Sequence, residues 1–341
     1  MRWPVLLLFS LLSATAHAQT PFDHFYDGKK INVLVSSAAG GGYDQYARLL
    51  ARHLPDHIKG HPIIIIQNMP GAEGVKVATS IYQNMPQDGT YIGALSKSIA
   101  LSKLYSPLTA PLLYDPLSFQ WIGSLKHDNT LLVVNAKSPI HSAQDLRSHD
   151  MSVSSKAINS PNSIQARLLN KFYGAHLKPI EGYEGSTAGM LAVERFETDG
   201  HIGGASPPIK ERIKKWIAAG TGRVIVQLGM ERDPDFSDVP TILELIDDAA
   251  SRRIFALTFS EQDIGTPFVF GPKVPSELYD VMMRAFDETT TDPSFRADAQ
   301  SINAPLYILS GHEITDMLHR AYATPQEDVA RLRAIVNPQS P

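Results

Sequence analysis

INVLVSSAAGGGYDQYARLL, Ile31 to Leu50, carries the reading of the fold. Ile31 to Val35 is a short β-branched run, Gly40, Gly41 and Gly42 follow, and from there the apolar residues fall at Tyr46, Leu49, Leu50 and Leu54, one face of a helix. A strand that runs through bare backbone into a helix leaves N–H groups where a ligand can approach them, and the helix dipole favours negative charge there. The turn is therefore an anion site in principle, with Asp44 a candidate cap for the helix it opens. A tight turn needing positive φ at one or two of the glycines explains the same letters.

Working outward, Pro62 precedes Ile63 to Ile66, a continuous apolar run that predicts a strand buried on both faces. PGAEG (Pro70 to Gly74) is a second glycine turn, and Val75, Ala78, Ile81 and Tyr82 give another helical face. Asp88-Gly89 then turns into a third strand, TYIGAL. This β-α-β-α-β order with short connections predicts a parallel sheet with right-handed crossovers. Beyond an irregular segment marked by Pro107, Pro111 and Pro116, strands are expected at Phe119–Gly123, Leu131–Val134, Met151–Ser154, Lys178–Ile180 and Arg223–Leu228. Between them lie a short capped helix at Ser142–Leu146, a helix bearing Ile164, Leu168, Leu169 and Phe172 that ends near Gly174, and a helix over Met190–Phe196. Apolar runs at Phe255–Phe259 and Phe268–Phe270, then helices bearing Leu278, Met282 and Phe286 and Ile314, Leu318 and Tyr322, are expected to return to the first lobe. The expected class is thus α/β in two lobes: 19–125 plus 229–341 as lobe 1 and 126–228 as lobe 2.

The first residues concern place. Arg2, the apolar run Val5 to Leu12 and the small-x-small triplet Ala16-His17-Ala18 read as a secretory signal peptide, residues 1–18, cut after Ala18. The chain has no cysteine, so disulfides and a bacterial lipid attachment point are both impossible, and a free periplasmic protein is expected. Apolar residues make up 43% and charged residues 19%, ordinary for a globular protein. The formal charge is −4, which argues against nucleic acid as a partner because neutralising phosphates needs a basic patch.

Nucleotide readings of the glycine turn fare poorly. From Gly40 a dinucleotide fingerprint would want glycine where Gln45 stands, and an acidic residue where Gln67-Asn68 closes the second strand. No G-K-[ST] follows, so the turn is no P-loop, and export removes the chain from cytoplasmic nucleotides. A smaller anion remains. A second polar turn, AINSPNS (Ala157 to Ser163), occupies the corresponding place in the second lobe, with Asn159, Ser160 and Ser163 as side-chain partners; a plain helix cap accounts for it equally. Two helix N-termini opposed across a cleft would hold a carboxylate from both sides.

The run FYDGKKINVLVSSAAGGGYDQYARLLARHL, with QNMPGAEG, PQDGTYIG, NSPNSIQARLLNKFYG, GYEGSTAGMLAVERFETDG, DVPTILEL, RAFDETTTDPSF and AYATPQEDV following in order, resembles the substrate-binding proteins of tripartite tricarboxylate transporters, the Bug family. The resemblance implies a type II periplasmic-binding-protein fold, two α/β lobes around a ligand cleft with hinge crossovers. It also implies capture of a small organic carboxylate, partly through water, and delivery to integral-membrane permease subunits. No cofactor or metal is implied, and a monomer is expected. Carried over by position, the first carboxylate loop falls on Ala38 to Asp44, including Ala39, Gly40, Gly41, Gly42, Tyr43 and Asp44 itself, and the second on Ala157 to Ser163. Ser96, Lys97 and Ser98 after the third strand, and the turn with Gly185, Ser186 and Thr187, would also line the cleft. The chain departs from the commoner pattern at Ala39, where proline is usual, and at Lys156 and Asn159, where glycines are more usual, as an outlying member would.

Other constellations carry less. His53, His57 and His61 have a metal-like spacing that Pro55 and Gly60 interrupt. Glu194, Glu197 and Asp199 would suit an exported hydrolase, but with Arg195 among them they read better as a solvated face, Asp199 being a further candidate for a polar ligand group or a cleft loop. GSTAG (Gly185 to Gly189) has Thr187 where a nucleophile elbow needs serine. His312-Glu313 reads as a helix start. Lys97, Lys126 and Lys156 are candidates for a cleft cation. Besides the hydrolase, the alternative to a transport receptor is a ligand-sensing subunit docked on a membrane receptor.

Overall fold

Along the first strand, β1 (Lys30–Val35), side chains alternate between two cores: Leu34 faces one, and Ile31, Val33 and Val35 face the other. The computed structural model describes residues 24–105, 112–127, 129–158 and 160–336; the expected signal peptide and Asn159 lie outside the described residues. After β1 come α1 (Gly42–His53), β2 (Ile63–Asn68), α2 (Val75–Thr79), β3 (Tyr91–Ala94), α3 (Ser98–Tyr105) and β4 (Gln120–Ser124). The chain then crosses to β5 (Thr130–Asn135), β6 (Met151–Ser154), α4 (Pro161–Leu168), β7 (Leu177–Ile180), α5 (Gly185–Glu194), β8 (Gly200–Gly204), α6 (Pro207–Ala218) and β9 (Gly222–Leu228). It ends with α7 (Ala249–Ile264), β10 (Pro267–Phe270), α8 (Ser276–Thr291), α9 (Pro293–Ser301), β11 (Leu309–Ser310), α10 (Gly311–Tyr322) and α11 (Gln326–Val336).

The strands form two sheets. One has the order β11-β4-β10-β3-β1-β2, with β1 parallel to β2 and β3, and β10 antiparallel to β3 and β4. The other has the order β7-β6-β8-β5-β9, with β6 parallel to β7 and β8, and β5 antiparallel to β8 and β9. Leu131 and Val133 of β5 face Met190, Ile213 and Trp216 on one side. Leu132 and Val134 turn to the other side, where a continuous apolar cluster reaches α7 (Phe255, Leu257, Phe259), α11 (Val329, Leu332) and the first sheet at Leu34 and Trp121. Both sheets thus lean on the same pair of helices. Arg167 of α4 donates to the Ile335 carbonyl at 3.0 Å and Arg333 to the Leu104 carbonyl at 2.6 Å, fastening α11 to both.

The crossovers between the sheets are close-packed. Gly265, between α7 and β10, has φ +43, and a β-carbon there would overlap the Lys126 carbonyl of the β4–β5 crossover. Ser124 Oγ donates to the Ile264 carbonyl at 2.5 Å and accepts from Thr266 N–H at 3.1 Å.

Several sequence expectations need correction. The Ile63–Ile66 strand is not buried on both faces: β2 is the sheet edge, and Ile63 is 63% exposed. Phe255–Phe259 lies inside α7, where aromatic side chains on one face pack under both sheets. The helix read as Met190–Phe196 begins at Gly185, and the sequence reading passed over β8 and α6 altogether. No helix among the described residues is long and apolar enough to cross a membrane.

Candidate functional site

Between the sheets lies a cavity of about 450 Å3. Lys97, after β3, lines it from the first sheet; Thr130, Asn162, Gly185, Ser186, Gly204 and Ser206 are among the residues lining it from the second. Its chemistry follows from how the helices end. The lining includes Pro161 and Asn162 at the start of α4, Gly185 to Thr187 at the start of α5, and Ser206 at the N-cap of α6. None of these three helices has a side-chain cap hydrogen bond. Away from the cavity, α7, α9 and α10 are capped by Asp248, Asp292 and Ser310, although α8 starts uncapped on Pro275. First-turn amides left without an internal acceptor are the partial positive charge of a helix N-terminus. Pro161 removes one of these amides from α4, and Pro207 and Pro208 leave α6 only the Ile209 N–H; with the open start of α5 and a lysine opposite, the remaining amides make a place for an anion.

The first glycine turn sits beside this cavity and shapes it indirectly. Only Gly40 of the three glycines has positive φ (+80). Asp44 does not cap α1: its N-cap is Gly41, with no side-chain cap bond. Asp44 is instead 2% exposed and faces inward, accepting Gly40 N–H at 2.8 Å, Arg48 Nε at 2.9 Å and Asn68 Nδ2 at 2.8 Å. Burial alone would raise its carboxyl; Arg48, Gly40 and Asn68 prevail and hold it below the usual range. Asp44 is thus the bolt of the loop, and it takes up one of the amides the sequence reading offered to a ligand. Tyr43 braces the neighbouring loop, its hydroxyl accepting Lys97 N–H at 3.2 Å and meeting Ser96 Oγ at 3.4 Å, while Ser96 and Ser98 pair at 3.0 Å. Ala39, Gly40, Gly41 and Gly42 are not among the cavity's lining residues; Lys97, Gly185, Ser186 and Thr187 are.

In the second polar turn the hydroxyls look inward. Ser163 is fully buried and pairs with Ser155 Oγ at 2.6 Å, and Ser160 Oγ donates to the Ala157 carbonyl at 2.6 Å instead of capping α4. The serines hold the turn, and Asn162 and Gln165, one helical turn on, line the cavity. Lys156 is a surface residue paired with Glu184 at 2.8 Å. Asp199 precedes β8, at the end opposite the cavity, and ties β8 to β6 by accepting Ser152 N–H at 2.7 Å and Ser152 Oγ–H at 2.6 Å.

The acidic cluster is dispersed among separate partners. Glu194 accepts from Arg212 at 3.1 and 2.6 Å and from Trp216 Nε1 at 2.5 Å, which overcome the effect of its burial and keep its carboxyl low; Glu197 accepts from Tyr183 at 3.2 Å. A general acid needs a raised carboxyl, and Glu194 is held the other way. The histidines face separate carboxylates too: His53 meets Asp298 at 2.9 Å, His57 meets Asp292 at 3.2 Å and His61 meets Asp56 at 3.8 Å. His312-Glu313 does open a helix, with Ser310 and Glu313 forming a capping box.

Asn162 falls inside the expected second loop, but sequence reasoning missed Gln165, Thr130 and Ser206. For α6 a signal was present, since Ser206-Pro207-Pro208 is a cap followed by proline at the first helical positions. Burial pushes the Glu261 carboxyl of α7 up; the charge of Lys97 opposes that and the charge of Glu73 adds to it. A second hollow of about 450 Å3, on the crossover side and including His127, Glu231, Arg253, Asp263 and Tyr307, mixes both signs of charge and is reached by one helix start, Thr324 and Pro325 before α11.

Two α/β halves joined by close-packed crossovers, with a polar hollow between them, define a type II periplasmic-binding-protein fold, the class of two-lobed solute receptors. The match to the model of the tripartite tricarboxylate transporter family receptor, TctC, over residues 47–316 is specific: the chain belongs to that family. It is 27% identical over 251 residues to BugT of Bordetella pertussis, covering 71% of this chain and 73% of that one. A UPF0065 protein of Bordetella bronchiseptica is 24% identical over 300 residues, 85% of this chain and 80% of its own. Among solved structures, a TctC solute-binding protein from Polaromonas superposes with TM-score 0.70 at 18% identity, over 92% of this chain and 99% of that one. The MatC protein of Rhodopseudomonas palustris, solved with malate, superposes with TM-score 0.53 at 20% identity, over 90% of this chain and 99% of that one.

Proposed function

We propose that this receptor captures a small organic carboxylate in the cavity between its sheets, in the periplasm, and hands it to the membrane subunits of a tripartite transporter without chemical change. The carrying observation is the convergence of three uncapped helix N-termini with Lys97 on one cavity. The malate bound to the Rhodopseudomonas relative supports the ligand class. Each helix end contributes about 0.3–1 kcal/mol toward an anion, and up to ~2 kcal/mol where water is excluded. Because Lys97 and the helix ends stand on different sheets, a bridging carboxylate favours closure by its differential contacts. Residues 19–125 with 229–341 would then move as one lobe against 126–228, and the working unit is a monomer.

The test is calorimetry and thermal shift with succinate, malate, adipate and citrate, with succinamide as neutral control. A carboxylate at about 100 times its dissociation constant should stabilise by roughly 2.7 kcal/mol. Stabilisation by the diamide equal to that by the diacid, or by none of the acids, overturns the reading.

A further inference from the structure

The strand passed over in the sequence holds a side chain that no ordinary packing role explains. His201 of β8 is 3% exposed. Its Nδ1 lies 2.7 Å from Ser154 Oγ, and its Nε2 is buried with no hydrogen-bond partner. A buried, unpaired ring nitrogen is costly, on the order of 1–3 kcal/mol, so its persistence needs a reason. Nε2 lies beneath the cavity floor: a β-carbon on Gly203 would collide with it and would stand 2.7 Å from Ser186 Oγ. Gly203 and Ser186 both line the cavity. Ser186 is half-buried in the first turn of α5. Nε2 and the Ser186 hydroxyl therefore bracket one small space, which glycine at 203 keeps open.

The tautomer follows from counting donors. If Ser154 donates to Nδ1, the single orphan is the Nε2–H. If Nδ1–H donates to Ser154, both Nε2 and the Ser154 hydroxyl hydrogen lack partners, which is worse by one group. We infer that His201 is a positioning residue for the carboxylate, its Nε2–H donating to Ser186 Oγ so that the Ser186 hydroxyl hydrogen is free to point at the ligand. Ser154, His201 and Ser186 then form a chain of donors running one way, each bond polarising the next, with the bound anion as final acceptor. To close it, the Ser186 hydroxyl must swing toward Nε2 across the space that Gly203 leaves open. Burial pushes the His201 imidazole down to about 4, with Ser154 opposing, so the ring stays neutral. The chain's last bond thus goes to an anion without placing a second full charge beneath it.

The inference rests on the carboxylate reading, and two measurements keep the two separable. The first is affinity for malate and adipate in full-length mature protein, comparing His201→Leu, His201→Gln and Ser186→Ala. His201→Leu is expected to lose about tenfold for the better-bound acid, as for a bond to a charged group. His201→Gln, whose amide offers an acceptor and a donor, should recover to within about threefold. In the Ser186→Ala background, His201→Leu should change nothing further, since partners in one network are non-additive. Additive losses, or a glutamine variant as weak as the leucine variant, overturn the inference. The second measurement is imidazole 15N NMR of the unliganded wild type, which needs no ligand and no variant. A neutral Nε2–H tautomer between pH 5 and 8 is expected; an Nδ1–H tautomer or a charged ring overturns the relay. Should wild type bind neither acid, the carboxylate reading fails, and the tautomer alone decides whether the donor chain exists. Should the leucine variant fold poorly, Gly203→Ala, which sets a methyl between Nε2 and Ser186 Oγ, is expected to lose affinity with His201 intact, and unchanged affinity there overturns the inference.

Discussion

Placing a carboxylate at the N-cap of α6 should stabilise the protein and weaken its grip on an acid together. Ser206 stands at that N-cap in extended backbone, its hydroxyl makes no cap bond, and it lines the cavity. In Ser206→Asp the new carboxylate can accept the Ile209 N–H, the first-turn amide that Pro207 and Pro208 leave, which is worth about 0.5–1 kcal/mol. For a chain of this size that raises Tm by roughly 0.7–1.5 °C. The same carboxylate occupies the Ile209 amide a ligand would use and repels it. Two charges ~6 Å apart at an effective dielectric of ~20 differ by about 3 kcal/mol, and partial solvent access reduces this to roughly 1.5 kcal/mol. With the lost helix-end contribution the loss is about 2 kcal/mol, or ~30-fold in Kd. Ser206→Asn supplies the cap without the charge and should stay within about threefold of wild type. Calorimetry at low and high salt reads the affinity, and the gap between the two variants should narrow as salt rises. An aspartate variant that binds malate as tightly as wild type would show that α6 takes no part, and the converging-helix argument would fall.

Three further outcomes follow from the geometry. Lys97→Met removes the one cation among the cavity-lining residues and should weaken acid binding roughly 10–150-fold; equal affinity by calorimetry would place the ligand elsewhere. His201 is held well below its unfolded value of 6.5, to about 4, so the unfolded chain binds the proton first; its contribution is full above pH 6.5 and is lost as pH falls toward 4, on the order of 3 kcal/mol. Urea unfolding of wild type against His201→Leu across that window should show the variant's profile flatter, and parallel profiles would refute the assignment. Gly265→Ala forces a methyl onto the Lys126 carbonyl at φ +43 and should cost at least ~2 kcal/mol, read as a lower urea midpoint; a wild-type midpoint would mean the crossover is looser than described.

Much of the architecture was legible because period and punctuation agree locally. Ile31–Val35 with its glycines, Met151–Ser154 and Arg223–Leu228 each carry a clear strand signal with a turn beyond, and each is a strand. β8 was not legible: GHIGG has one β-branched residue among three glycines and a histidine, and its glycines answer to a buried imidazole and a cavity wall instead of strand propensity. The site was half legible. Glycine and serine turns marked the right ends of the sheets, but which polar groups turn inward depends on partners distant in sequence. Asp44 is claimed by Asn68, and Ser163 by Ser155. Ser206 and Asn162 reach the cavity because their helices start there, a fact of assembly that spacing alone does not carry.

The place of β10 bears on the order in which the molecule can be completed. It lies between β3 and β4, so a sheet begun at residue 30 stays split until residues 267–270 arrive. The strands from 130 to 228 need nothing from outside that interval to pair. A chain emerging from an export pore amino end first can therefore finish its middle while its beginning still waits with two unmatched edges, a stage at which a holding chaperone would find most to hold. Pulse-labelled hydrogen exchange during refolding should show amides of 130–228 protected ahead of those at 91–94 and 120–124; simultaneous protection would mean that the halves mature together.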